Sequence, residues 1–118
     1  MEPQILKRGD LWRADLGEPR GSGPAFECPV LIVQDDDFNA SSIRTVLVVA
    51  LTTNLRLANA PGNVYVTPEE TGLSEDSVVV VSQMVSLDRT FLLERIGPLA
   101  SDALLQVEYG LKLILKLE

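Results

Sequence analysis

The sequence predicts a mainly β fold (α+β), a small barrel or twisted antiparallel sheet with short helices packed on it. Two observations support this prediction. Short apolar or alternating runs, about six in number, recur between residues 9 and 97, and turn residues such as Gly, Pro, Asn and Asp separate them. Apolar side chains at helical spacing occur in the segment 101–116, which predicts one C-terminal amphipathic helix.

The first predicted strand covers residues 9–16, where side chains alternate between two faces in the pattern of a half-buried strand. Trp12, Ala14 and Leu16 share one face. Glycines and prolines make residues 17–24 a loop. Arg20 is the only cation in this loop. It is either a solvated side chain or a contact for a single-stranded substrate.

Two buried strands, 29–33 and 45–51, form the predicted centre of the sheet. Both are rich in Val, Ile and Leu, and a polar connector at 35–42 joins them. If they pair in antiparallel fashion, Cys28 and Thr52 meet at the same edge of the sheet. The loops at this edge either only connect the strands or form a functional site, since sites often lie on such loops.

The next predicted strand covers residues 63–67, with Val64 and Val66 directed inward. Two consecutive carboxylates, Glu69 and Glu70, follow it. Because consecutive loop residues rarely converge on one atom, we interpret this pair as solvated charge and not as a catalytic pair.

Residues 78–81 are apolar on both faces, which suits a central strand covered on both sides. Ser82 and Gln83 are expected to end this strand. Asp88 is expected to cap a short helical turn, and a short return strand is expected at 94–97.

The C-terminal helix is expected to begin with Ser101 as its cap. Asp102 lies in its first turn, and Lys112 and Lys116 lie in its last turns, where each charge favours the helix dipole. One stripe at helical spacing is expected to pack on the core, formed by Leu104, Val107, Leu111, Ile114 and Leu115.

Length and composition predict one soluble domain covering residues 1–118. The chain has 118 residues, of which 46% are hydrophobic and 23% charged. No apolar run approaches the roughly 20 residues of a membrane span, and residues 1–8 lack a signal-peptide core. We therefore expect a cytoplasmic protein that does not bind a membrane. Its lone cysteine cannot form an internal disulfide.

Charge and residue types exclude several functions. The net charge of −7 argues against a general nucleic-acid coat protein, because Lys and Arg supply most non-specific affinity for phosphate. Any RNA site must be a small local patch. The chain has no histidine, no Cys/His cluster for zinc and no Gly-rich loop with Lys for nucleotide phosphates. We expect no metal and no cofactor.

A series of short motifs runs along nearly the whole chain, after an opening stretch at Arg8–Trp12. The motifs are Gly21–Pro24, Pro29–Gln34, Phe38–Asn39, Leu51–Asn54, Pro61–Val64, Asp76–Val79 and Val81–Gln83. In kind and order they resemble the motifs of the MazF/PemK/Kid family of toxin endoribonucleases, and Arg8–Trp12 resembles the opening strand of that family.

The resemblance implies an SH3-like toxin barrel that works as a homodimer and binds a MazE-like antitoxin. It also implies cleavage of single-stranded RNA such as mRNA at short sequences without a metal, by attack of the ribose 2′-hydroxyl on the neighbouring phosphorus. Two catalytic positions and six RNA-binding positions follow from it and from their neighbours in the chain. The catalytic positions are Cys28 and Thr52. The RNA-binding positions are Arg20, Thr53, Asn54, Arg56, Ser82 and Gln83.

Two of these positions depart from the family pattern. Cys28 stands where the family has a catalytic arginine, and a thiol offers neither the charge nor the planar donors that match a phosphate. Either Cys28 disarms the toxin, or another cation such as Arg20 reaches the site. Cys28 has little support as a nucleophile, because Glu27 is beside it and no histidine activates it. Ser82 stands where several relatives carry an acidic residue.

A second function remains open. A non-catalytic module of the same fold could act by holding a protein, as the related CcdB-type toxins bind gyrase. The net charge of −7 and the missing arginine favour this alternative. The motifs Leu51–Asn54 and Ser82–Gln83, which the resemblance assigns to an RNA-binding groove, favour the endoribonuclease.

Overall fold

The computed structural model describes residues 5–18, 21 and 26–117, which contain six strands, three α-helices and two 3-10 helices. The strands are β1 Asp10–Asp15, β2 Glu27–Ile32, β3 Thr45–Thr52, β4 Val64–Val66, β5 Ser77–Asp88 and β6 Leu92–Pro98. The helices are α1 Asp36–Asn39, α2 Pro68–Thr71 and α3 Ser101–Leu115, with 3-10 helices at Leu55–Asn59 and Arg89–Phe91.

All six strands belong to one sheet in the order β4-β5-β3-β2-β1-β6, and every neighbouring pair is antiparallel. The hairpin of β2 and β3 lies at its centre, as the two apolar runs predict, with Val30 opposite Ala50 and Ile32 opposite Val48. The sheet curls and remains open between β4 and β6. The predicted mainly β fold is therefore confirmed, as a curled half-barrel sheet.

Both faces of the central strands are buried, because side chains alternate across the sheet and each face has its own core. The first core cluster packs with α3 and includes Leu31, Val49, Leu51, Val64, Val66, Val79 and Val107. The second core cluster lies on the opposite face and includes Leu6, Trp12, Ala14, Val30, Ile32, Val48 and Leu87. Cys28 packs against the second cluster.

β5 is longer than its sequence suggests. We expected Ser82 and Gln83 to end it, but the strand continues to Asp88, and this prediction was wrong. A register shift accommodates the polar residues: Val80 pairs with Ala50, whereas Met84 pairs with the preceding residue of β3. The bulge leaves residues 81–83 between two paired segments, so polar side chains do not have to stop the strand.

The helix α3 confirms its predicted position but not all of its contacts. Its N-cap is Ala100, without a side-chain hydrogen bond, so the prediction that Ser101 caps the helix was wrong by one residue. Val107 is fully buried. Ile114 and Leu115 are 43% and 52% exposed, because the last turns extend beyond the core that they were expected to cover.

Short caps fix the remaining connections. Glu70 is more than a solvated charge: its Oε1 accepts hydrogen bonds from the backbone N–H and the hydroxyl of Thr67, which forms a capping box at the start of α2. Asp88 accepts the N–H of Thr90 and caps the turn at Arg89–Phe91, as predicted. No helix of the described residues is long and apolar enough to cross a membrane.

Candidate active site

Cys28 lies near the start of β2 and Thr52 ends β3, so both positions lie at the same end of the hairpin. Thr52 pairs with Val78 of β5, and Cys28 pairs with Ala14 of β1. Continued past its last paired residues, the β2–β3 register sets Cys28 opposite Thr52. Residues at opposed register positions point to the same face of a sheet. The two positions therefore share a face and lie at the same end of the hairpin, two residues beyond the last β2–β3 pair, Val30 and Ala50.

The Thr52 hydroxyl accepts one hydrogen bond and still has its own hydrogen to donate. Its Oγ1 accepts the backbone N–H of Asn54 at 3.1 Å, which closes a turn at the end of β3. None of the described residues accepts a hydrogen bond from its hydroxyl, and the residue is only half-buried. The hydroxyl hydrogen can therefore be donated to a bound oxygen.

The turn after Thr52 carries a cation. Asn54 Oδ1 accepts the N–H of Arg56 at 3.3 Å and caps the 3-10 helix Leu55–Asn59. Thr53 and Arg56 are exposed, and within the described part of the chain the Arg56 guanidinium has no acidic partner. Two linked side-chain turns therefore follow Thr52 and place an exposed cation, Arg56, four residues after it in the chain.

Cys28 contributes no charge to this site. Burial raises the pKa of its thiol from 9.0 to about 11, so the thiol is neutral at pH 7. A neutral thiol is a poor nucleophile and cannot hold a phosphate oxygen by charge. The burial of Cys28 thus agrees with the argument from the sequence against a nucleophilic role.

Ser82 and Gln83 lie apart from the Thr52 end. They belong to the bulge of β5, four and five positions along the strand from Val78, or about 13 to 17 Å. Ser82 is exposed and Gln83 is half-buried. Bulges occur often beside active sites, where they redirect side chains. The expected RNA-binding positions therefore form two groups, and Arg20 lies outside the described residues.

Sequence reasoning missed Tyr65 and Asp76. Tyr65 pairs with Val78, the residue that also pairs with Thr52, so Tyr65 shares the face of the candidate site. Its hydroxyl donates to Asp76 Oδ2, and this hydrogen bond raises the pKa of the phenol. The inward predictions for Val64 and Val66 already placed Tyr65 on the opposite face. What the sequence did not show was which strand would be its neighbour.

Groups that could hold a metal are absent from the described residues, where no cluster of three or more His, Cys, Asp or Glu side chains occurs. Two ion pairs join strands or helices there, Arg95 with Asp10 at 3.1 Å and Arg8 with Glu108 at 3.6 Å. These arginines support the fold and are not free for a phosphate.

Comparison with known proteins identifies the family. The family of PemK-like, MazF-like toxins of type II toxin-antitoxin systems matches residues 7–115. The chain is 41% identical over 113 residues to endoribonuclease MazF2 of Mycobacterium bovis and to endoribonuclease MazF6 of Mycobacterium tuberculosis, covering 96% of this chain and 99% of each relative.

Solved structures share the fold. MazF from Deinococcus radiodurans has a TM-score of 0.80 at 20% identity, covering 97% of this chain and 99% of that one. A mycobacterial endoribonuclease in complex with its cognate antitoxin has a TM-score of 0.77 at 23% identity, covering 98% of both chains. The family match and the relatives at 41% identity, which are endoribonucleases, confirm the resemblance seen in the sequence. The chain therefore belongs to the PemK/MazF family of type II toxins.

Proposed function

We propose that this toxin cleaves single-stranded RNA at short sequences, without a metal, at the end of the β2–β3 hairpin, and that Cys28 weakens the reaction. The available hydroxyl of Thr52 beside Cys28 carries this proposal. It is a half-exposed donor with a free cation, Arg56, in the turn that follows.

In the proposed step the ribose 2′-oxygen attacks the neighbouring phosphorus and the bond from phosphorus to the 5′-oxygen breaks. The 2′-hydroxyl loses its proton and the 5′-oxygen gains one, which leaves a cyclic phosphate and a free 5′-hydroxyl. Thr52 donates a hydrogen bond to a phosphoryl oxygen, where negative charge develops. Arg56 adds positive charge near it.

Cys28 supplies neither the positive charge nor the preorganised donor that this step requires at the phosphoryl oxygens. Loss of one preorganised donor to developing charge costs roughly 3 to 4 kcal/mol, or about 100- to 1000-fold in rate. The family arginine is expected to transfer protons as well, so its absence should cost more. An Arg codon becomes a Cys codon by one base change, and an active toxin harms its host, so a disarming substitution is easily acquired.

The test is to incubate the protein and its Cys28→Arg variant with a long unstructured RNA and to map the fragment ends. Fragments ending in a cyclic phosphate at recurring short sequences are expected from the variant. Fragments at random positions, or none, would contradict sequence-specific cleavage.

We also propose a homodimer that binds a MazE-like antitoxin over the RNA groove, in the cytoplasm where its RNA substrate is found. A relative of the same fold forms a complex with its cognate antitoxin. The exposed apolar residues of α3, including Leu105, Leu113 and Ile114, offer a surface that a second copy could bury. Antitoxin and a non-cleavable RNA should compete, and simultaneous binding would contradict a shared groove.

The neutral thiol of Cys28 and the net charge of −7 keep the second candidate function in place, a non-catalytic module that holds a protein as CcdB-type toxins do. This alternative requires that the folded, dimeric Cys28→Arg variant leaves RNA intact. Cleavage by that variant would remove it.

A further inference from the structure

A row of side chains crosses the sheet through the candidate site. Tyr65 of β4 pairs with Val78 of β5, which pairs with Thr52 of β3, and the continued register adds Cys28 of β2. Residues paired in this way point to one face, so all four do. Two spacings of about 5 Å separate the Cα atoms of Tyr65 and Thr52, which gives a distance of about 10 Å.

The members of this row differ in their exposure. Val78 is fully buried, Thr52 and Cys28 are half-buried, and Tyr65 is 45% exposed. A large aromatic ring thus stands at the open end of a row whose other end holds the proposed reaction. Aromatic side chains on single-strand sites stack on bases, whereas backbone phosphates are bound by charge and hydrogen bonds.

Asp76 fixes the orientation of this ring. Its Oδ2 accepts the hydrogen bond of the Tyr65 hydroxyl, and Asp76 lies just before β5 begins. A carboxylate repels phosphate, so Asp76 is unsuited to binding the RNA backbone directly. Holding the tyrosine hydroxyl gives this charge a role that does not require contact with RNA.

We infer that Tyr65 is a base-stacking residue of the RNA site, oriented by Asp76, which takes a nucleotide flanking the scissile phosphate. The inference rests on the proposed function. The Cα atom of Tyr65 lies about 10 Å from that of Thr52, within reach of a base next to the nucleotides that react. Tyr65 therefore contributes to RNA affinity and to the choice of cleavage site.

Binding experiments with a short unstructured RNA carrying 2′-O-methyl groups, which the enzyme cannot cut, test this inference. Stacking on an aromatic side chain corresponds to about a 5- to 150-fold loss of affinity on replacement by alanine. Tyr65→Ala should show a loss in this range. Tyr65→Thr, which suits a strand, gives the same readout if the alanine variant folds poorly. Phe38→Ala is the matched control, because Phe38 is 57% exposed at the other end of the β2–β3 hairpin.

Substitution of the hydrogen-bonded pair separates orientation from charge. Tyr65→Phe keeps the ring but loses the hydrogen bond to Asp76, so its affinity should lie between those of the wild type and Tyr65→Ala. Asp76→Asn keeps an acceptor for the hydroxyl and should bind RNA at least as well as the wild type. Asp76→Ala releases the ring and should bind more weakly. If both Asp76 variants bound more tightly by the same factor, repulsion alone would be its effect, and the orienting role would be refuted.

Abasic substitution locates the stacked base. The loss caused by Tyr65→Ala should disappear when the base at one position of the RNA is removed, and persist when any other base is removed. Equal affinity of wild type and Tyr65→Ala, with Arg56→Ala weakened, would overturn the inference alone. Failure of both the wild type and the Cys28→Arg variant to bind RNA would overturn the proposed function, and the inference with it.

Discussion

Replacement of Thr52 separates the hydroxyl that the mechanism requires from the strand end that the fold requires. The parent protein for this comparison is the Cys28→Arg variant, in which activity is expected to be measurable. Thr52→Val retains the shape of the side chain and removes only its hydrogen-bonding ability. Thr52→Ser retains the hydroxyl and removes a methyl group.

The structure gives the size of each effect. Oγ1 of Thr52 accepts the N–H of Asn54 at 3.1 Å near the protein surface, so its loss should reduce the free energy of unfolding by about 0.5 to 1.5 kcal/mol. The same change removes a donor to the phosphoryl oxygen and should lower kcat by about 100- to 1000-fold. Thr52→Ser should keep kcat within a few-fold of the parent value and should leave the free energy of unfolding close to that of the parent.

The assay pairs initial cleavage rates at saturating RNA with unfolding in urea. A large fall in kcat with a small fall in stability is the expected result for Thr52→Val. Cleavage by Thr52→Val at the rate of the parent would refute a catalytic role for the hydroxyl. Equal losses in Thr52→Ser and Thr52→Val would show that loss of the hydroxyl alone does not account for the effect.

Two further predictions concern the fold and the thiol. In Gly110→Ala the new Cβ would lie 2.1 Å from the carbonyl oxygen of Gly62, so the free energy of unfolding in urea should fall by at least about 1 kcal/mol despite the better helix propensity of alanine. Substitution of the exposed Gln106 by alanine is the control and should be nearly neutral. Unchanged stability of Gly110→Ala would contradict this packing. Alkylation of Cys28 by iodoacetamide should have a midpoint near pH 11 in the folded protein and near 9.0 in urea. Because the pKa of Cys28 is higher in the folded protein, the stability that its neutral thiol provides below about pH 9 is lost as the pH rises towards 11. Cys28→Ala should lack this pH-dependent loss of stability. An alkylation midpoint at or below 9.0 in the folded protein would rule out the effect of burial on the thiol pKa.

The fold could be predicted from the sequence where local pattern decides it. Two apolar runs joined by a polar connector identified β2 and β3, and their antiparallel pairing leaves Cys28 and Thr52 at the same end of the hairpin. The length of β5 could not be predicted, because Ser82 and Gln83 look like a strand end unless a bulge absorbs them. Local pattern says nothing about such a register shift.

Long-range features were missed for the same reason. Ile114 continues the helical stripe of α3 without any change in spacing, yet the core ends before it, and only the size of the sheet determines where. Tyr65 joins the Thr52 row because β4 pairs with β5, a neighbour relation that no short stretch of sequence encodes. The sequence contains the residues of the site but not their neighbours across strands.

The central claim is that the Thr52 end of the hairpin is an RNA-cleaving site that Cys28 leaves without its cation. Arginine can be introduced there at modest cost to the fold, because Cys28 is only half-buried and the arginine stem can lie along the second core cluster while its guanidinium reaches solvent. The guanidinium would then stand beside Thr52, where the phosphate is proposed to bind.

The most direct measurement compares RNA cleavage by the wild type and by Cys28→Arg, with Cys28→Lys as a control that adds charge without the planar fork of donors. Cys28→Arg should cleave at least about 100-fold faster than the wild type, at the same sequences, and faster than Cys28→Lys. Equal cleavage by all three would show that another residue, with Arg56 or Arg20 first to be tested, already supplies the charge. Absence of cleavage by a folded, dimeric Cys28→Arg protein would contradict the account and favour the protein-binding module.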